Sequence, residues 1–197
     1  MSKKKSFLLK IRKFLNKFVK MGDEYIQMRL PVEKITKSFE EKIRNKIKQN
    51  GVNAELRRAT KEDIDSILLM YDRAWHSTTM PFHLIPSSRL LTLIKDPNYE
   101  ILIVKVDSVD SAFAIVYITG EDKEIGIIGV LGVVPEGQRK GLGTLLGVAC
   151  WDYFKEKDVK ELRCRVHLDN KASYIFMRRL GFEEFREAEG YKYVYTF

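Results

Sequence analysis

Gln138-Arg139-Lys140-Gly141-Leu142-Gly143 is the stretch whose reading decides the fold of this chain. An almost unbroken apolar run, Ile127 to Val134, precedes it and ends at Pro135-Glu136-Gly137. Behind it, Leu142, Leu145, Leu146, Ala149 and Tyr153 recur at helical spacing. The order is buried strand, tight loop, helix. Gly141 and Gly143 carry no Cβ, so a ligand can approach the backbone there. The first amides of the helix have no intrahelical partners and face whatever lies at its N-terminus. The helix dipole favours an anion at that end, and Arg139 and Lys140 add positive charge. The stretch therefore predicts a phosphate site. A P-loop would need Gly-Lys-Ser/Thr after a four-residue gap. A dinucleotide fold would need Gly-x-Gly-x-x-Gly, and Gly147 falls one place too late for it. An ordinary strand-to-helix turn is the remaining alternative.

Working outward, 197 residues suit one domain with an appendage, and the apolar share of 45% suffices for a packed core. No apolar run approaches the ~18 residues that would suggest a membrane span. The two cysteines, Cys150 and Cys164, fall in a predicted helix and a predicted strand, and no zinc spacing exists. His76, His83 and His167 form no metal motif, so no metal is expected. A reduced, cytoplasmic protein is the default expectation.

The net charge of +8 is unevenly spread. Residues 1–20 carry seven lysines, one arginine and no acid, while residues 21–50 add +2. The other 147 residues are thus close to neutral, at −2. In the basic part, Phe7, Ile11, Phe14, Phe18, Met21, Tyr25, Met28, Val32, Ile35 and Phe39 alternate at steps of four and three, as a heptad seam does. Pro31 suits the first turn of a second helix. The expectation is two helices, 6–29 and 31–49, in a basic amphipathic extension over 1–50. Three uses stay open for it. The hairpin packs on its own domain or on a second copy, giving a homodimer through residues 7–49. Residues 1–20, with Lys on one face and Phe and Leu on the other, lie on a membrane surface and make the protein peripheral. Binding of nucleic acid is the least supported of the three.

Residues 51–197 read as one α/β domain. Strands are expected over 53–59, 100–106, 112–119, 126–134 and 163–167. Helices are expected over 60–75, 89–95, 142 onward and 170–180, with a last pair of strands from Gly181-Phe182 to Tyr191–Phe197. Thr60 caps the first of these helices, with Asp63 as an acidic first-turn residue.

Val133-Val134-Pro135-Glu136-Gly137-Gln138-Arg139-Lys140-Gly141-Leu142-Gly143 resembles the signature of the GNAT superfamily of acyl-CoA N-acyltransferases, Gln/Arg-x-x-Gly-x-Gly/Ala after a strand ending near Val-x-Pro-Glu. A second match is Asn170, Ser173, Met177, Gly181 and Phe182, in the frame Asn-x-x-Ala-x-x-x-Tyr-x-x-x-Gly-Phe. Ser replaces Ala there and Met replaces Tyr. The resemblance covers about residues 53–197, and the element order β-α-α-β-β-β-α-β-α-β-β agrees with it. It implies a mixed, mostly antiparallel sheet of six to seven strands flanked by helices, here with a helical extension in front.

The resemblance also implies a site. Acetyl-CoA is the expected acyl donor. Its pyrophosphate would meet Gln138, Arg139, Lys140, Gly141, Leu142 and Gly143. Its pantetheine arm would run between splayed strands, beside Leu131 and Val133. Asn170 and Ser173 would border that arm, or Asn170 would simply cap its helix. An amine would attack the thioester directly, with the backbone N–H near Val133 as the donor to the oxyanion.

The acceptor amine must be neutral. A lysine near ~10.4 costs roughly 3.4 kcal/mol more to deprotonate than an α-amine near ~7.7–8.0. No carboxylate lies between Gly126 and Val134. A base must come from His167, from Glu121, Asp122 or Glu124, or through water. Met177 cannot donate a proton, so Tyr174 is the substitute acid for the leaving thiolate. Trp75, Phe82 and Tyr191 are candidates for an acceptor pocket. The expected activity is acetyl transfer to a peptide, protein or small-molecule amine. The alternative is a non-catalytic acyl-CoA-binding domain, tethered or dimerised by its N-terminal helices.

Overall fold

The computed structural model describes residues 24–49, 51, 53–78 and 84–185. Seven strands form one sheet: β1 (Tyr25–Pro31), β2 (Ala54–Arg58), β3 (Tyr99–Val106), β4 (Val109–Thr119), β5 (Ile125–Val133), β6 (Glu161–His167) and β7 (Glu183–Glu184). Among the described residues, five α-helices accompany them: α1 (Lys37–Gln49), α2 (Ile64–His76), α3 (Ser87–Lys95), α4 (Leu142–Glu156) and α5 (Lys171–Arg179). The sheet order is β2-β3-β4-β5-β6-β1-β7. All neighbouring pairs are antiparallel except β5 and β6.

Strand β4 shows how the layers form. Phe113 and Ile115 point to one face, where they pack with Ile67, Met70, Tyr71, Leu90 and Leu93 of α2 and α3. Ala112, Ala114 and Val116 point to the other, against Leu146, Cys150, Trp151 and Phe154 of α4. Period-two alternation with both faces apolar is what a central strand between two helical layers requires. Cys150 and Cys164 are free and buried, and burial pushes the Cys150 thiol up to about 12.

The expected helix over 6–29 is corrected where it reaches the described residues. Tyr25–Pro31 is a strand that pairs with β6 from Tyr25↔His167 to Pro31↔Glu161. Met28 and Leu30 are buried on its inner face, and Ile26 packs beside them. Met28 belongs both to the heptad seam and to the alternating set Ile26, Met28, Leu30, and pairing with β6 selects the second. Pro31 closes this strand rather than opening a helix. Residues 6–23, and the last expected strand Tyr191–Phe197, lie outside the described residues.

The second expected helix exists as α1, beginning at Lys37 after a 3-10 turn, Val32–Lys34. Thr36 accepts the Phe39 N–H at 3.3 Å. Phe39, Ile43 and Ile47, four residues apart, pack on the core beside α4. Two ion pairs fix the helix there, Glu40–Lys155 and Arg44–Asp152, both at 2.6 Å.

Candidate active site

Strands β5 and β6 pair only from Ile125↔Glu161 to Ile128↔Cys164. At that point β5 gains one residue relative to β4, since Ile115 faces Val130 and Val116 faces Ile128. Gly129 is the extra residue. A bulge bends its strand and increases the local twist, and β5 leaves β6 where this one occurs. The two strands then run apart to Val133 and His167.

On its other edge β5 stays bonded to β4. The Val134 N–H donates to the Ser111 carbonyl at 3.0 Å. Amide direction alternates along an antiparallel ladder. The Val133 N–H therefore points away from β4, into the gap that β6 has vacated, and Leu131 has the same parity.

The loop from β5 to α4 is held at its start. The Gln138 side-chain amide donates to the Val133 carbonyl at 3.2 Å and to Ser77 Oγ at 3.1 Å. Arg139 and Gly141 both have left-handed backbone, φ 59° and 90°. A left-handed residue beside right-handed ones turns successive N–H groups toward one point, a concave anion site. For Arg139 this conformation is strained, and such strain gathers at functional sites. Gly141 is the N-cap of α4, and its carbonyl accepts the Leu145 N–H at 2.9 Å. The amides of Leu142, Gly143 and Thr144 thus lack intrahelical acceptors.

At the far wall, Asn170 caps α5 by accepting the Ser173 N–H at 3.0 Å. Among the described residues, the Asn170 amide group has no acceptor. Helix α5 closes in a Schellman motif, with Gly181 N–H on the Arg178 carbonyl and Phe182 N–H on the Met177 carbonyl, 3.0 and 3.1 Å. Gly181 at φ 92° makes that turn possible, and Phe182 is buried by it. This accounts physically for the Asn…Gly-Phe frame.

Together these elements line a cleft of about 770 Å³. Of the expected residues, Leu131, Val133, Gln138, Arg139, Gly141, Gly143, Asn170 and Ser173 border it. Lys140 and Leu142 do not; Leu142 is buried in the core, so its side chain is spent on packing. Met177, the departure from the family's tyrosine, is buried as well.

The two expected proton-transfer residues point elsewhere. The Tyr174 hydroxyl donates to Glu184 Oε1 at 2.6 Å, a bond that raises its pKa. His167 Nδ1 accepts the Asp169 N–H at 3.2 Å, and the ring meets Tyr25 edge-on. Neither side chain borders the cleft. Trp75 does border it, with Ser77 and Thr78 at the end of α2, whereas Phe82 and Tyr191 lie outside the described residues. Sequence reading missed Phe176 and Arg179 on α5, and Lys46 and Ile47 on α1. The spacing of 173, 176 and 179 on one helical face was the available signal for the first pair. Among the described residues, no cluster could hold a metal ion.

What this geometry can do is bind a phosphate-bearing ligand at the head of α4, pass an extended arm between β5 and β6, and present the Val133 N–H, without an acceptor among the described residues, at the strand end. The sequence model of the acetyltransferase (GNAT) family matches residues 65–182, and the chain belongs to that family.

Curated relatives include the mycothiol acetyltransferase of Rhodococcus erythropolis, 35% identical over 66 residues, which are 34% of this chain and 22% of that protein. That of Renibacterium salmoninarum is 35% identical over 69 residues, 35% and 20% of the two chains. The match spans about a fifth of the length of these relatives.

Solved structures share the fold. An aminoglycoside acetyltransferase from an uncultured soil metagenomic sample, in complex with sisomicin, superposes with a TM-score of 0.56 at 18% identity over 73% of this chain and 96% of its own. The PaiA N-acetyltransferase of Thermoplasma acidophilum, in complex with coenzyme A, gives 0.59 at 20% identity over 65% and 88%.

Proposed function

We propose that this chain is an N-acetyltransferase that uses acetyl-CoA and an amine acceptor in one ternary complex. The observation that carries this reading is the separation of β5 from β6 beyond Ile128, which leaves the Val133 N–H facing an open cleft headed by the Gln138–Gly143 loop. The residues fit the donor. The head of α4 offers consecutive amides for a pyrophosphate, and Asn170 offers an unoccupied amide group beside the arm. The coenzyme A complex of the Thermoplasma acidophilum relative supports the same donor.

Acetyl-CoA would supply a thioester for attack by the amine: the N–C bond would form first and the C–S bond would then break, with one proton lost from the amine and one gained by the thiolate. The Val133 N–H, which faces the cleft, would donate to the carbonyl oxygen as negative charge grows on it, and a fixed donor there needs no reorganisation. Gln138 holds the carbonyl of the same residue and so fixes the plane of the strand end.

Among the described residues, the titratable groups bordering the cleft are Lys46, Arg139, Asp169, Lys171 and Arg179. Four of these are cations and one is a carboxylate, and no histidine borders the cleft among the described residues, so deprotonation through water is the route we propose. An acceptor amine with a pKa near ~8, such as a peptide N-terminus or an amino sugar, suits this site better than a lysine near ~10.4. Mass-spectrometric assay of acetyl transfer to a panel of peptide α-amines, amino sugars and lysine peptides tests the proposal. The expected result is turnover on α-amine or amino-sugar acceptors exceeding that on lysine. No acetyl product on any amine, with acetyl-CoA bound, would instead support the non-catalytic acyl-CoA-binding reading, which the turning of Tyr174 and His167 away from the cleft favours.

A cytoplasmic setting, pairing within the expected span 7–49 and membrane contact through residues 1–20 remain part of the proposal. They rest on sequence composition and are tested by sedimentation and by binding to anionic liposomes. From Met28 on, the seam residues Met28, Val32, Ile35 and Phe39 pack on the chain's own core and are not available for pairing.

A further inference from the structure

We infer that helix α1, which precedes the family's matched region, completes the cofactor site, Lys46 and Ile47 holding the 3′-phosphoadenosine end of the acyl-CoA. This rests on the acetyl-CoA reading above and adds to it the residues that recognise one end of the donor.

The match to the family begins at residue 65, whereas α1 ends at Gln49. Yet Lys46 and Ile47 border the same cleft as Arg139, Gly141 and Gly143. Packing carries them there. Glu40 meets Lys155 and Arg44 meets Asp152, so four residues forward on α1 are three residues back on α4. The helices are antiparallel. One further turn brings the C-terminal end of α1 level with the middle of α4, so that it points toward the Gln138–Gly143 loop. Ile47 is anchored in the apolar stripe with Phe39 and Ile43, which sets Lys46 at the rim.

The opposite wall is α5, with Phe176 and Arg179 three residues apart on the cleft-facing side. The cleft end between α1 and α5 is therefore lined by two apolar side chains, Ile47 and Phe176, and two cations, Lys46 and Arg179. Neither cation belongs to an ion pair among the described residues. Coenzyme A carries three phosphates, and the loop amides account for the two of the pyrophosphate. What remains is a flat aromatic base and a 3′-phosphate dianion, which match an apolar pair flanked by two free cations. Among the described residues, acid in the lining is confined to Asp169, at the Asn170 end of α5.

Calorimetric titration of the full chain with CoA and with 3′-dephospho-CoA tests this. The wild type should bind CoA about tenfold more tightly, the scale expected of two exposed charge contacts with a dianion. Lys46→Glu lies on an exposed helical position and should fold normally, checked by its melting temperature. It should weaken CoA alone and bring the ratio close to one. Ile47→Ala should weaken both ligands equally and keep the ratio. Equal binding of the two ligands by the wild type would overturn the inference while leaving the acetyl-CoA reading intact, and so would a Lys46→Glu chain that retains the preference. A wild type that binds neither ligand would remove the acetyl-CoA reading, and this inference with it.

Discussion

The Gln138 side chain donates its amide to the Val133 carbonyl across the loop, at 3.2 Å. Through this bond the Gln138–Gly143 loop and the end of β5 become one rigid unit, the two parts proposed to meet the phosphates and the acyl group. Gln138→Leu removes both this bond and the one to Ser77 but leaves the core untouched. It should lower kcat several-fold and weaken acetyl-CoA binding less than threefold. A variant with unchanged kcat would show that the Val133 peptide needs no such brace.

Leu30 is 1% exposed in β1, a strand between β6 and β7. If the N-terminal region were a solvated appendage, truncating this side chain would be nearly neutral. Within the sheet, Leu30→Ala should cost about 2–4 kcal/mol in urea unfolding. A loss under about 0.5 kcal/mol would place β1 outside the cooperative unit.

Arg57 pairs with Asp63 at 2.8 Å and with Asp110 at 3.1 Å, and Ser66 donates to Asp110 at 2.6 Å. The hydrogen bonds from Arg57, first among several causes, hold the Asp63 carboxyl down at about 2. Its folded value lies below its unfolded one, near ~3.9. Its stabilisation is therefore present above about pH 4 and disappears as pH falls towards 2, on the order of 2 kcal/mol. Asp63→Asn should lower stability at neutral pH and flatten the acid limb of the stability profile. Parallel acid limbs for the two proteins would show that Asp63 is not responsible.

Tyr174 binds Glu184 rather than facing the cleft. Tyr174→Phe should therefore leave turnover within about twofold and reduce stability slightly. A tenfold loss of kcat with acetyl-CoA affinity unchanged would return the role of proton donor to this hydroxyl.

Much of the site could be read from the sequence because its geometry is local. The left-handed turn at Gly141, the bare amides of α4 and the Schellman turn at Gly181 each demand particular residues at fixed spacing. The wider site is tertiary and left weaker traces. In β1, Ile26, Met28 and Leu30 signal a strand, but Met28 also extends a heptad seam, and pairing with β6 chose between them. Tyr174 lies on the helix that the sequence predicts. It lies about 100° round the axis from Ser173, which turns it to β7 instead of the cleft. Lys46 and Ile47 reach the cleft because of the ion pairs between α1 and α4, which join residues more than a hundred positions apart.

The most direct measurement is calorimetric titration of the purified protein with acetyl-CoA, beside Gly141→Ala and Gly141→Asp. Gly141 has φ 90°, so either substitution strains the loop, by roughly 1–2 kcal/mol for alanine. Only aspartate also puts a negative charge where the pyrophosphate would lie. The account predicts saturable 1:1 binding by the wild type, weaker binding by Gly141→Ala and none by Gly141→Asp. Absence of binding by the wild type, or full affinity in Gly141→Asp, would contradict it.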